Sequence, residues 1–554
     1  MFEKDRASEN PSEVPILLKA LPATASALAI CVGLLVLCVA LSAQVRTADQ
    51  ILINPDPKDW LTYGGAYNSQ RYSQLKQVTT ANVSRLQAKW VYHVDGIDEG
   101  EVTPIVSNGV MYISGFNRLD AVDARTGNII WRYQRQPASS TRQRGTAIYG
   151  DKVYVVTADS HLIALDARNG GVRWDVKSDG GNTIAGGAPL VADGKVIVTG
   201  NRPGGFIQAY DAETGKYLWT WSALPKPGEA AYKTWGGATP AGAPIWLSGS
   251  YDPGLGLLYF GTGQPNPQWT GQGREGDNLY SDSIAALDVK TGTLKWHFQN
   301  TPHDVHDWDS MEVSVLVDAP PGTRLPRPSA GSGRPELVEG RKLLMHANRN
   351  GFYYILDRAN GQYLQGTPFV DKLDWATGLS PEGRPILAPG HEPSVKGTVT
   401  CPSTAGATNW PPPTYSPDTR YFYVVAHEGC GVNTITSSSD PESPTAYFES
   451  ASDPWQAYVR AIDAFTGKRI WEYKAVRSNH YGPGLLSTAG GIVFAPEQFG
   501  QVSALDAKTG QSLWHFNTGD VITAAPVAYS VDGQQFFAIM SGTNVFAFGL
   551  SDSR

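Results

Sequence analysis

The stretch Ala121-Val122-Asp123-Ala124-Arg125-Thr126-Gly127-Asn128-Ile129-Ile130-Trp131 is one of six copies of the phrase Ala-x-Asp-x-x-(Thr/Asn)-Gly-x-x-x-Trp. The others run Ala164–Trp174, Ala209–Trp219, Ala286–Trp296, Ala461–Trp471 and Ala504–Trp514. Each copy reads as strand, turn, strand. Ala-x-Asp alternates as a strand does, and the carboxylate can accept from the amides of the turn that follows. Gly127, Gly170, Gly215, Gly292, Gly467 and Gly510 supply the positive-φ position of that turn. The second strand carries a Trp large enough to fill the gap between neighbouring sheets. Recurrence at about 40–50 residues marks a solenoid or a propeller.

Spacing gives the number of units. Trp131 to Trp174 is 43 residues, Trp174 to Trp219 is 45, and Trp471 to Trp514 is 43. An eroded copy keeps Asp357, Asn360 and Gly361, with Gln365 where Trp should stand. The 106 residues from Gln365 to Trp471 leave room for one hidden unit and a long loop. Six intact units, one eroded and one hidden predict an all-β, eight-bladed propeller over residues 51–554, closed so that no long sheet edge is left open.

Composition agrees. Gly 59 and Pro 38 suit many tight turns, and Trp 16 with Tyr 25 suits repeated packing between blades. A net charge of −7 argues against a nucleic-acid partner, which would call for basic stripes. The segment Pro321–Arg341 breaks the strand pattern and reads as a surface insertion with no role in chemistry.

Residues 1–50 form a separate tail and signal or anchor segment. Leu21 to Ala43 is an uncharged, predominantly apolar run of 23 residues, long enough to span a bilayer. Ala40-Leu41-Ser42 offers a small-residue cleavage site, so a removed signal peptide and a retained anchor both fit. On either reading the propeller is exported. Outside that run only Cys401 and Cys430 remain. Such a pair is two buried thiols in a cytosolic protein and a disulfide in an exported one, and export favours the disulfide. No Cys-x-x-Cys-His occurs, so the chain shows no site for a covalently attached c-type haem.

The Asp-x-x-Thr-Gly-x-x-x-Trp phrases resemble the tryptophan-docking repeats of the pyrroloquinoline quinone (PQQ) dependent alcohol dehydrogenases, eight-bladed quinoproteins of the bacterial periplasm. The resemblance runs from Trp60-Leu61-Thr62-Tyr63-Gly64-Gly65 and Arg71-Tyr72-Ser73 to the last strand. Non-catalytic propellers of the outer-membrane assembly type carry similar repeats, so the segments between the repeats decide.

Those segments match the family piece by piece. Trp246, five residues before Tyr251-Asp252-Pro253, stands where the family places the indole stacked against the quinone. Gln264, in Gly261-Thr262-Gly263-Gln264, falls where the family has an Asn metal ligand; its amide oxygen still suits a hard cation. In His303-Asp304-Val305-His306-Asp307-Trp308-Asp309, Asp307 matches the catalytic base, and Asp309 the position where some relatives add a lanthanide ligand. Arg349, in Asn348-Arg349-Asn350-Gly351, matches the cation that bonds the quinone oxygens. Arg144 and Thr157 match contacts near the cofactor carboxylates, and Asn409-Trp410 a cofactor-lining loop. Cys430 lies where the family closes a structural disulfide.

The departures concern the metal. Relatives carry a Gly-Ala-Glu segment whose Glu is a ligand; here Thr199–Gly205 is shorter and has no Glu. The adjacent-cysteine disulfide that caps the quinone in many relatives is also missing. The ligand set implied is Gln264, Asp307 and Asp309 with PQQ's own oxygens, a hard-oxygen site for one divalent or trivalent cation, calcium foremost and a lanthanide as the other candidate. The resemblance implies oxidation of an alcohol or sugar hydroxyl, with electrons leaving to a cytochrome c or to membrane ubiquinone. The competing expectation is a membrane-tethered scaffold, which would need neither the His303–Asp309 segment nor Arg349.

Overall fold

Each repeat phrase folds as the third and fourth strands of a four-stranded antiparallel sheet, with Ala121 paired to Trp131 in the first. The Asp123 carboxylate accepts the amides of Arg125 and Thr126, both at 2.9 Å, and Gly127 sits at φ 75°. The computed structural model of the protein describes residues 48–551 apart from 96–99, 116, 137–142, 327–334, 438–444, 452–454 and 477–481. The apolar run Leu21–Ala43 lies outside the described residues, and no helix among those described is long and apolar enough to cross a membrane.

Seven blades follow one another along the chain: 105–134, 147–177, 190–222, 250–299, 315–368, 414–474 and 486–517. The eighth joins the two ends of the propeller. Its three inner strands span 527–550, and its outermost is Leu86–His93. The number eight is as expected, but the hidden unit is not between Gln365 and Trp471. That interval holds only the sixth blade, whose own phrase ends on Trp471, together with insertions: the Ala376–Leu379 and Pro385–Leu387 ribbon and a three-stranded sheet beginning at Thr398–Thr400. The closing blade escaped notice because its Trp90 stands near the N-terminus, far in sequence from the strands it completes. Pro321–Arg341 lies within blade 5, and 324–325 pairs with 336–337.

Blades dock by one repeated contact. Trp131 lies against Gly170 of the next blade and donates its indole N–H to the Ala167 carbonyl (3.1 Å). Trp174, Trp219, Trp296 and Trp471 repeat this on Gly215, Gly292, Gly361 and Gly510. Trp90 closes the ring on Gly127 and the Ala124 carbonyl. A Cβ at Gly170 would stand 2.6 Å from the Trp131 ring, so this glycine is required for contact as well as for φ.

The segment before the first blade latches the innermost strands. Backbone carbonyls of Tyr67, Asn68, Gln70 and Arg71 accept in turn from Tyr251, Leu316, Tyr415 and Ser487, one in each of blades 4 to 7. Arg71 is fully buried and donates to the carbonyls of Tyr63, Leu485 and Pro526. The latch answers the Trp60–Ser73 stretch singled out in the sequence.

Candidate active site

Strand direction brings the site together. Innermost strands all start at one end of the propeller axis, and second strands, being antiparallel to them, finish there. Glu101, Arg144, Trp246, Asp307, Asp309 and Trp410 precede innermost strands of five different blades, while Gln264 and Arg349 follow second strands. Residues as far apart in sequence as Glu101 and Trp410 therefore share one cup.

Arg349 is the centre of that cup. It is buried, and its Nη1 lies 3.2 Å from Asp309 and its Nη2 3.4 Å from Asp307. Nη2 also donates to the Thr404 carbonyl at 2.6 Å. Asp309 accepts the backbone N–H of Gln264 (2.9 Å). Asp309 and Arg349 keep only 5 and 6% of their side-chain surface, whereas Asp307 keeps 25%. Asp307 is thus the carboxylate that a substrate can reach. It sits at φ 64° and His303 at φ 56°, conformations that non-glycine residues adopt at a cost of order 1 kcal/mol or more.

Burial raises the pKa of all three acids in this segment. Asp304, which accepts the amides of His306 and Trp308, is pushed up to about 6. Asp307 is raised well above the usual carboxylate range by burial, against the pull of Arg349. Asp309 is raised for the same reason and opposed by the same guanidinium. His306 is stacked on Trp308 at 4.3 Å and held neutral by burial, its pKa lowered to about 3.

A second cluster adjoins the first. The Arg144 guanidinium lies over the ring of Trp246 (4.7 Å) and over that of Trp410 (5.1 Å), and pairs with Glu101 at 2.7 Å. Both charged partners are buried. Glu101, just ahead of the strand Ile105–Ser107, escaped the sequence reading because a lone carboxylate carries no pattern. The hydroxyls of Tyr63 and Thr103 are buried there without a hydrogen-bond partner. Two buried cations, half-buried Trp246 with its indole face, and orphaned hydroxyls fit a planar polyanion such as PQQ. For a metal the cup offers oxygens: the Asp307 carboxylate, a quarter exposed and meeting Arg349 through Oδ2, and the half-buried Gln264 amide.

Two expected contacts stand apart. The Thr157 hydroxyl is turned onto Asp159 within its own turn, and Gln143 donates to the neighbouring Val156 carbonyl (3.2 Å). Asn409 spends its side chain on its own loop, donating to the Ala405 carbonyl and accepting from Trp410. Cys401 and Cys430 are disulfide-bonded, which fastens the loop that supplies Thr404 and Trp410.

The model of the glucose/ethanol/alcohol dehydrogenase β-propeller domain of PQQ proteins matches residues 60–368. Quinoprotein alcohol dehydrogenase PedH of Pseudomonas putida is 35% identical, over 89% of this chain and 88% of its own length. The chain belongs to the PQQ-dependent quinoprotein alcohol dehydrogenases. Quinohemoprotein alcohol dehydrogenase of Comamonas testosteroni is 35% identical over 87% of this chain and 72% of its own. Its crystal structure superposes with a TM-score of 0.81 at 32% identity, covering 94% of this chain and 84% of that one. A europium-containing methanol dehydrogenase gives 0.76 at 27% identity, over 90% and 99%. The model of outer membrane protein assembly factor BamB matches residues 456–552 alone, the closing blades, where quinoproteins and scaffolds share their repeats.

Proposed function

We propose that this quinoprotein oxidises an alcohol or sugar hydroxyl outside the cytoplasm, with Asp307 as the base. The observation that carries this reading is the contrast around Arg349: two carboxylates touch it, one sealed and one a quarter exposed. A base must meet its substrate, and only Asp307 can. Its raised pKa makes it a better proton acceptor than an ordinary carboxylate, while Arg349 keeps its charged form accessible.

PQQ, when bound, supplies the two-electron acceptor for the hydride lost from the alcohol carbon. The chain's own residues do the rest. Trp246 offers a flat face for a planar cofactor, Arg144 with Glu101 holds an acidic edge, and Arg349 stabilises negative charge arising at a ring oxygen. Asp307 removes the hydroxyl proton. A calcium or lanthanide ion would be held by Asp307 and the Gln264 amide together with cofactor oxygens, since hard cations prefer such donors. Periplasmic export follows from the apolar run and the disulfide. Electrons then pass to a cytochrome c or to membrane quinone, the acceptor depending on whether the run is cleaved.

The test is the absorbance spectrum and dye-linked alcohol oxidation of the purified protein, with PQQ and either calcium or a light lanthanide added. Turnover dependent on PQQ is expected. A protein that takes up no PQQ would return the scaffold reading.

A further inference from the structure

The carboxylate of Asp309 is surrounded by donors rather than left open for a cation. Its Oδ1 accepts the Gln264 backbone N–H at 2.9 Å, and its Oδ2 faces Arg349 Nη1 at 3.2 Å. Of a carboxylate's roughly four lone-pair sites, one on each oxygen is thus taken. Gly263 presses on the same group: a Cβ there would stand 2.5 Å from Oδ1. A cation on Oδ2 would sit beside the Arg349 charge, and Oδ1 is already held by the Gln264 N–H, whereas Asp307 meets Arg349 through Oδ2 and is the more exposed of the two.

We infer that Asp309 is a positioning residue in this chain and not the metal ligand that its place in the motif suggests. It ties the guanidinium of Arg349 to the Gly263-Gln264 turn. Parts of the cup from two blades, 4 and 5, meet at this single carboxylate. Losing it frees the guanidinium and the turn together, so cofactor binding suffers while cation binding does not. The inference rests on the PQQ reading of the site.

Titrating PQQ into the full-length protein, followed by tryptophan quenching, and titrating terbium by its luminescence at saturating PQQ separate these roles. For Asp309→Asn, PQQ affinity is expected to fall on the order of tenfold or more, as for loss of a charge-assisted hydrogen bond. Half-saturating terbium should stay within about twofold of wild type, since no ligand is lost. Gly263→Ala crowds the Asp309 carboxylate at Oδ1, and the Pro244 ring beside it, while removing no donor side chain, and should give the same pattern if Asp309→Asn fails to fold. A tenfold or larger rise in half-saturating terbium in either variant overturns the inference, as does unchanged PQQ affinity in both. Failure of the wild type itself to bind PQQ overturns the PQQ reading instead.

Discussion

The belt where blades meet and the end of the axis are built from the same sheets, yet they distribute their chemistry in opposite ways. In the belt, one contact recurs: an indole on a glycine, its N–H on the carbonyl three residues before that glycine. At the axis end nothing recurs. Asp307, Asp309, Arg349, Arg144 and Trp246 each occur once, each with its own partners. Redundancy in the belt means that one lost dock leaves the other blade contacts in place, so stability falls and the cup persists. Single copies at the axis end mean that one lost group removes a function while the fold persists.

Asp307→Asn tests the second half of that contrast most severely. The amide keeps the shape but cannot take the proton, so dye-linked turnover should fall about 100- to 10,000-fold. PQQ binding and the melting temperature should be nearly unchanged. Substantial residual turnover would remove Asp307 as the base.

Trp471→Ala tests the first half. Removing a buried indole from a belt contact should cost about 3–5 kcal/mol, measured by denaturant unfolding. Turnover per folded molecule should stay near wild type, because Trp471 lies in the fourth strand of blade 6, away from the axis end. A large loss of turnover in the folded fraction would show that belt and cup are not separable.

Legibility in the sequence follows the same division. Blades could be read because a turn needs glycine and a gap needs Trp, and both needs recur six times. The eighth blade was misplaced because closure joins Leu86–His93 to strands beginning at Val527, a pairing no local pattern reports. In the cup, the motif-bearing residues Trp246, Asp307, Asp309 and Arg349 do come together, yet only the resemblance named them. Glu101 was missed because a lone carboxylate carries no pattern, and the Thr404 carbonyl because backbone groups leave no trace in sequence.

The disulfide between Cys401 and Cys430 crosses the divide. It closes a segment of sequence separation 29, which the chain-entropy model values at about 3–4 kcal/mol. It also pins the loop whose Thr404 carbonyl holds Arg349 and whose Ser403 carbonyl holds the Trp308 indole (2.9 Å). Replacing both cysteines by alanine should therefore lower stability and turnover together, unlike either substitution above. In the native protein both sulfurs should resist alkylation until reductant is added. Free labelling of both would contradict the disulfide and the exported location with it.

The smallest effect belongs to the junction between blades 5 and 6, where the belt has no indole. Gln365 donates from Nε2 to the Thr466 carbonyl at 2.7 Å, one residue before Gly467, while the Ala464 carbonyl, the place of the indole's partner elsewhere, accepts from the Tyr353 hydroxyl. The vacated seat is filled by Thr367, whose methyl carbon would lie 2.0 Å from a Cβ at Gly467. Gln365→Ala thus forfeits one hydrogen bond and little apolar packing, a cost of about 1–2 kcal/mol against the larger loss at Trp471. The converse follows from the same geometry. Gln365→Trp alone should not stabilise the protein, because the Thr367 methyl already occupies the face of Gly467 on which an indole would rest. Adding Thr367→Ala should clear that face and raise the denaturation midpoint above that of Gln365→Trp. Equal midpoints for the single and double variants would mean that Thr367 does not hold the seat, and that this junction differs from the other docks for another reason.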